Sequence, residues 1–357
     1  RARVQPRPVD ANFPVDLIRT IAIFLVVLVH TSNFPYHPVV ATMSSSSVES
    51  WFSADVYSAL GNLGVPLFVL ISGALLLDPS KADEPMKVFF KKRFNRIGLP
   101  FMFWTAAYFA WNHYIHGATL SLFNIENGLL QGSYNILWFL YLIVGLYLVT
   151  PALRVLVKYI DRERFSFLLV LWFIGTVSVP LIHLFAPSFN YNPVIVVVYG
   201  WVGYFLLGIF LLKTKVRPWI LYLVIFFGIL GAVLGEWLIT ESLGQTYTGL
   251  FHDPLSFDII IIASAVFLVL TSVPKSIVEN NQIVSRAVHW IGQNTLSLYL
   301  IHMMVLETLT LGLLGFTLPS TGNAAIDTPL YAVIVLLISA AIVYALKKIR
   351  YAGRIIG

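Results

Sequence analysis

Residues 16–34 read DLIRTIAIFLVVLVHTSNF. The stretch is apolar over the roughly 20 residues a helix needs to cross a bilayer. It nevertheless carries Asp16, Arg19 and His30. The rest of the chain decides whether such a helix is a soluble core element or a membrane span. Of its 357 residues, 58% are hydrophobic and 11% charged, whereas soluble domains carry about 25% charged residues. So few charges cannot cover so much apolar surface in water. The composition therefore specifies an all-α, polytopic membrane helix bundle. The absence of cysteine excludes disulfides, thiolate nucleophiles, a thioester on the enzyme and Cys-ligated metals.

Ten apolar runs have spanning length: 16–34, 55–77, 97–115, 135–155, 165–186, 194–212, 218–239, 255–273, 289–312 and 329–346. Lys and Arg divide the connections into two classes. Arg1, Arg3 and Arg7 precede the first run. Lys81, Lys87, Lys91, Lys92, Arg93 and Arg96 follow the second, and Arg154, Lys158, Arg162 and Arg164 the fourth. Lys213, Lys215 and Arg217, then Lys275 and Arg286, then Lys347, Lys348, Arg350 and Arg354 complete the set. The alternate loops 35–54, 116–134, 187–193, 240–254 and 313–328 contain neither residue. Of the 23 basic residues only Arg19 is left, near the same end of the first run. Positive charge stays cytoplasmic, so about ten transmembrane helices with both termini cytoplasmic are expected. The chain reads as one domain: tail 1–15, bundle 16–346 and tail 347–357. The net charge of +6 is explained by topology and calls for no nucleic-acid partner. "PVVA" at 38–41 is a weak signal-cleavage site; retention of the first run is expected, because it continues into polar groups that a discarded segment does not need. The chain starts with Arg, so residues are expected to precede it.

Ionisable groups inside spans are costly and face a partner or a cavity. Eleven residues separate Arg19 from His30. At 100° per residue they share one face to within about 20°, some 16 Å apart along the axis. Asp16 lies three residues before Arg19 and pairs with it. The second run carries Ser72 and Gly73, which suit close helix packing or room for an extended ligand. Arg93 and Arg96, three apart in KKRFNRIGLP, form a helical pair suited to phosphate. Trp138 and Tyr141, at the start of the fourth run, are either substrate-pathway groups or residues packed at the outer interface and core. The ninth adds His302 and Glu307, either pathway groups or packed polar residues. Asp55, Glu236 and Asp258 read as solvated outer-end residues, with a vestibule for hydroxyl-rich or cationic groups as the alternative. Tyr36, His37, Trp51, Trp111 and Tyr134 read as an interfacial aromatic belt. His113 and His116 make a poor zinc site, and no metal is expected. No P-loop, dinucleotide fingerprint or HExxH motif occurs.

In order, DLIRTIAIFLVVLVHT, GVPLFVLISGALLL, KKRFNRIGLP, LWFLYLIVGLYLVTPALR and IGQNTLSLYLIH resemble the acyltransferase 3 family of integral membrane acyltransferases. The fourth segment resembles O-acetyltransferases of bacterial surface polysaccharides most. Many such relatives have a histidine just before LWFL; this chain has Tyr134, Asn135 and Ile136. The sequence carries no segment like the family's optional SGNH-type module. The resemblance implies a multi-pass cell-membrane enzyme of bacterial type. It would move an acyl group, commonly acetyl, from acetyl-CoA to a hydroxyl of an extracytoplasmic or lipid-linked glycan. Arg93 and Arg96 would hold the CoA phosphates, and Arg19 would steer the donor. Ser72 and Gly73 would permit passage. His30 would be the general base or the acyl-accepting nucleophile. Membrane lipids are the other partner. Two alternatives stay open: a proton-coupled transporter or flippase relaying through His30, His302 and Glu307, and a membrane sensor on the same scaffold.

Overall fold

The computed structural model describes residues 14–32, 45–185, 200–243 and 250–357. Arg1, Arg3, Arg7, Tyr36, His37, the "PVVA" stretch and the start of the 194–212 run lie outside the described residues. Every long element described is an α-helix: α1 (Val15–Ser32), α2 (Ser45–Gly61), α3 (Gly64–Leu76), α4 (Met86–His116), α5 (Leu122–Gln131), α6 (Trp138–Tyr159), α7 (Arg162–Phe185), α8 (Trp201–Leu211), α9 (Pro218–Leu243), α10 (Phe257–Ser272), α11 (Lys275–Glu279), α12 (Gln282–Gln293), α13 (Thr295–Thr310), α14 (Ala324–Lys347) and α15 (Ala352–Ile356). Each apolar run is mainly helical where it is described. Among the described residues six segments are long and apolar enough to cross a membrane: Val15–Ser32, Val48–Leu76, Asn135–Tyr159, Arg162–Ile182, Pro218–Ser242 and Ala324–Lys347. Trp201–Leu211, Phe257–Ser272 and Thr295–Thr310 are apolar but shorter.

Two runs are not single helices. The second breaks at Asn62–Leu63, between α2 and α3. Glycines flank the break because α1 lies against it: a Cβ on Gly61 would stand 2.6 Å from the Val29 backbone nitrogen, and one on Gly64 2.8 Å from the Ala22 carbonyl. The ninth divides at Asn294, which separates α12 from α13. Helix α12 exposes Ile283 and Val284 and belongs at the surface rather than across it. In α4 the helix starts well before the apolar run. At 31 residues and 1.5 Å each it exceeds a 30 Å hydrocarbon core, so its basic first turns extend into water. Helix α5 exposes Leu122, Phe123, Leu129 and Leu130, the apolar stripe of an interfacial helix.

Helix α1 occupies the centre and touches α2, α3, α10, α12, α13 and α14. This enclosure is what allows polar groups on a spanning helix. Backbones elsewhere approach through small residues, the usual device where no water drives association. A Cβ on Gly73 of α3 would lie 1.8 Å from the Phe205 carbonyl of α8, and one on Gly208 of α8 2.0 Å from the Leu70 carbonyl. Neither position accepts alanine without separating the pair.

Polar ties close the bundle at both ends. At the basic end, Arg154 of α6 is 2% exposed. Its Nε donates to the Leu76 carbonyl at 2.6 Å, and one terminal nitrogen donates to Glu84 at 2.9 Å and to the Lys81 carbonyl at 3.2 Å. Its guanidinium also lies over the Phe89 ring, 4.7 Å from the centroid. At the opposite end the Tyr57 hydroxyl donates to the Ala325 carbonyl at 2.9 Å, and Thr31 to the Thr328 carbonyl at 3.2 Å.

Candidate functional site

The stripe on α1 opens into two cavities. At the basic end, a cavity of about 290 Å³ is lined by Arg19, Ser72, Lys81, Arg93, Arg96, Tyr147, Thr295 and Tyr299, among others. Two chain segments far apart in sequence, at Arg19 and at Lys81–Arg96, thus bring their cations to one mouth. Each is positioned by its neighbours. Asp16 stands 3.8 Å from Arg19, as the i, i+3 spacing predicts. It is itself held by α12, where His289 and Gln293 donate to it at 2.8 and 3.1 Å. Gly292 makes that approach feasible, since a Cβ there would meet Asp16 at 2.6 Å. Arg93 packs its guanidinium over Phe89 and Tyr147, 5.1 and 5.4 Å from the ring centroids, and its buried Nε has no partner among the described residues. Arg96 is exposed at the rim.

The Arg154 ties fix the α3–α4 connection that carries this mouth. The charge map treats Arg154 as one more cytoplasmic charge; the structure makes it a buried clasp. Arg154→Met leaves two carbonyls and Glu84 without their donor. Breaking a buried ion pair from one side costs about 3–5 kcal/mol. Because Glu84 keeps a 2.7 Å bond to Lys92, about 3 kcal/mol is expected here, read as a lowered thermal midpoint in detergent.

The second cavity, about 540 Å³, opens from the other end. It is lined by His30, Trp51, Asp55, Asn62, Asn135, Trp138, Glu236, His252, Asp253 and Tyr299, with smaller groups between them. His30 is part of its wall. Its ring lies against that of His302, with centroids 5.2 Å apart. His302 is fully buried; its Nδ1 donates to the Tyr299 carbonyl at 2.6 Å. That bond fixes the tautomer and leaves Nε2 as an acceptor, with no partner among the described residues. Tyr299 lines both cavities. Its hydroxyl donates to the Ile136 carbonyl at 2.7 Å, and its ring packs on Phe139 with centroids 4.9 Å apart. Arg19 and His30 therefore share a helix face but line different cavities, and Tyr299 lines both.

The remaining sequence candidates fall elsewhere. Gly73 packs on α8 and does not line the basic cavity, which Ser72 does. Trp138 lines the second cavity and packs on Trp201, centroids 5.4 Å apart. The Tyr141 hydroxyl donates to the Leu129 carbonyl at 2.6 Å, tying α6 to α5. Glu307 does not meet the two histidines. Trp111 Nε1 donates to it at 2.6 Å, His116 Nε2 lies at 3.2 Å, and the Tyr134 hydroxyl bonds its other oxygen. Trp111 and Tyr134 are thus hydrogen-bonded to a carboxylate instead of forming a lipid belt. Trp51, 1% exposed, also leaves the belt.

Asp55, Glu236 and Asp258 are not solvated ends. They are 1%, 3% and 4% exposed. The reason is His252, in the connection between α9 and α10. Its Nε2 donates to Asp55 at 2.9 Å and its backbone N–H to Asp258 at 3.3 Å. Ser256 also donates to Asp258. The backbone at His252 has φ 63°, a left-handed conformation that costs a non-glycine residue about 1–2 kcal/mol. Burial alone would lower the His252 pKa; its interactions with Asp258 and Asp55 outweigh that and push it up to about 9. Asp55, Asp253, Asp258 and Glu236 all face this region, and the retained proton offsets part of their charge. A raised pKa stabilises the fold fully below the unfolded value of about 6.5, and the contribution disappears as pH rises through 9. The melting temperature should therefore fall between pH 6.5 and 9 by more than in His252→Gln, measured as paired melts across that range.

Tyr299 and His252 were the residues least visible beforehand. Tyr299 precedes His302 by three positions, so the helical face of α13 was the available signal. Nothing near His252 in the sequence marks its partner 197 residues away.

A family model described as an acyltransferase domain matches residues 13–348. No curated protein and no solved structure matches the chain.

Proposed function

The chain belongs to the acyltransferase 3 family, and from that membership we propose that it is an O-acetyltransferase acting across the membrane. In this reading acetyl-CoA binds in the basic cavity, and the acceptor is a hydroxyl of an extracytoplasmic or lipid-linked glycan in the other cavity. The observation that carries it is the pair of cavities that share Tyr299 in their walls, one lined by Arg19, Arg93 and Arg96 and the other by His30.

The chemistry follows from that division. The basic cavity would take the extended thioester arm. The phosphates would then stay at the rim, where Arg96 is exposed and Arg93 stands just inside. Arginine forks bind phosphate bidentately. His30 takes the acceptor hydroxyl proton as that oxygen bonds the thioester carbonyl carbon. The C–S bond breaks, and the departing CoA thiolate takes the proton back from the imidazolium. His302 is a positioning residue: its ring sets the orientation of His30. Only the acetyl group passes Tyr299, so CoA and acceptor stay on their own sides. The relay reading loses its continuity, since Glu307 is engaged by Trp111, His116 and Tyr134.

Purified protein incubated with acetyl-labelled acetyl-CoA is expected to release label slowly as acetate and to transfer it to added glycan lipid. Absence of CoA binding, together with glycan-lipid or solute flux in proteoliposomes, would contradict the proposal and favour a transporter.

A further inference from the structure

The second cavity holds more polar groups than proton transfer at His30 requires. Trp51, Asp55 and Glu236 are 1%, 1% and 3% exposed, and all three line it. Trp51 Nε1, Asp55 Oδ2 and Glu236 Oε2 have no hydrogen-bond partner among the described residues. An unmade bond at a buried polar atom is costly, and buried polar atoms are paired in the great majority of cases. Three orphans on residues that line one space therefore point to a ligand that supplies the missing partners. The Asp55 oxygen requires a donor, the indole N–H requires an acceptor, and the Glu236 carboxyl takes either according to its protonation. A hydroxyl is both at once, so adjacent hydroxyls satisfy all three.

Charge narrows the ligand further. Asp55, Glu236 and Asp253 line the cavity and Asp258 stands behind His252. Against these four carboxylates, the imidazoles of His252 and His30 are the only cation-forming groups that line the cavity among the described residues. The connections at this end that carry no Lys or Arg, 116–134, 240–254 and 313–328, supply no compensating cation. An anionic group entering here would meet like charge in a poorly solvated space. The rings of Trp51 and Trp138 add apolar faces suited to the C–H side of a pyranose.

We propose that Trp51, Asp55 and Glu236 form the acceptor subsite, and that it selects a neutral or amine-bearing sugar over a carboxylated one. This rests on the acetyltransferase reading for its name as an acceptor site; the sugar site itself does not. His252 is a positioning residue that holds Asp55 with its second oxygen free. The selection is strong in one direction because a site built to bind hydroxyls leaves its own buried groups unpaired when they are missing.

The test is direct binding to the full chain in nanodiscs, with CoA binding measured on the same samples. The neutral probes are tetrasaccharides of glucose, galactose, mannose and rhamnose; the anionic probe is a tetragalacturonate. At least one neutral probe is expected to bind, the tetragalacturonate at least tenfold more weakly, and Glu236→Gln and Asp55→Asn to weaken the neutral probe at least tenfold with CoA affinity within twofold. The CoA measurement separates a lost site from a lost fold. Equal binding of the uronate, failure of all the neutral probes, or neutral binding unaffected by both substitutions with CoA affinity retained would overturn the subsite. Sugar binding that depends on Glu236 in a protein that binds no CoA would support the sugar site and overturn the transferase reading instead.

Discussion

Acetyl transfer by the His30→Ala protein is expected to fall by about 10²–10⁴-fold, the usual contribution of a positioned base. The loss belongs in kcat, because His30 lines the acceptor cavity and is not among the residues lining the donor one. CoA affinity should therefore be retained, and that retention shows that the variant is folded. His30→Gln should fail as severely, since an amide keeps much of the volume but cannot accept and return a proton. A protein that transfers at the normal rate without the imidazole would remove the base from the mechanism. So would a loss confined to donor KM.

Arg93→Ala and Arg96→Ala act on the other cavity. A hydrogen bond to a charged group contributes about 1.5–3 kcal/mol, so each substitution should raise the donor KM by roughly 10–100-fold with a smaller effect on kcat. Lysine at either position should recover only part of the loss, because an ammonium cannot reproduce the fork. Arg93 is expected to be the more sensitive. It is packed between Phe89 and Tyr147 and therefore ordered before the donor arrives, whereas Arg96 is exposed at the rim. The check is a donor titration at saturating acceptor. Unchanged donor KM in both variants would mean that these arginines serve topology alone.

The pattern of effects mirrors what the sequence could and could not disclose. Helix α1 was legible in detail: its length, the Asp16–Arg19 contact, and the shared face of Arg19 and His30 all follow from helical phase. The basic mouth was legible because Arg93 and Arg96 are local to one helix. The single continuous stripe was not what the fold built, because which cavity a side chain meets depends on neighbouring helices. Tyr299 lines both cavities and is held by packing on Phe139 and a bond to the Ile136 carbonyl, and neither contact has a local signature. Gly73 looked as much like a passage as a packing residue until α8 was placed against it. The acidic residues at the outer ends looked solvated because each lies alone in its own segment. They become a buried set only when the His252 connection folds in between α2 and α10. Single-helix geometry reached the donor side; the acceptor side is made of long-range contacts.

The central claim is that donor and acceptor stay on opposite faces while only the acetyl group passes. The direct measurement uses sealed proteoliposomes of known orientation, with acetyl-labelled acetyl-CoA supplied only at the basic face and glycan acceptor only at the other. The account predicts labelled glycan on the acceptor side, free CoA remaining on the donor side, and no product when both substrates are placed together at the acceptor face. Product formed only when donor and acceptor share one face would contradict it.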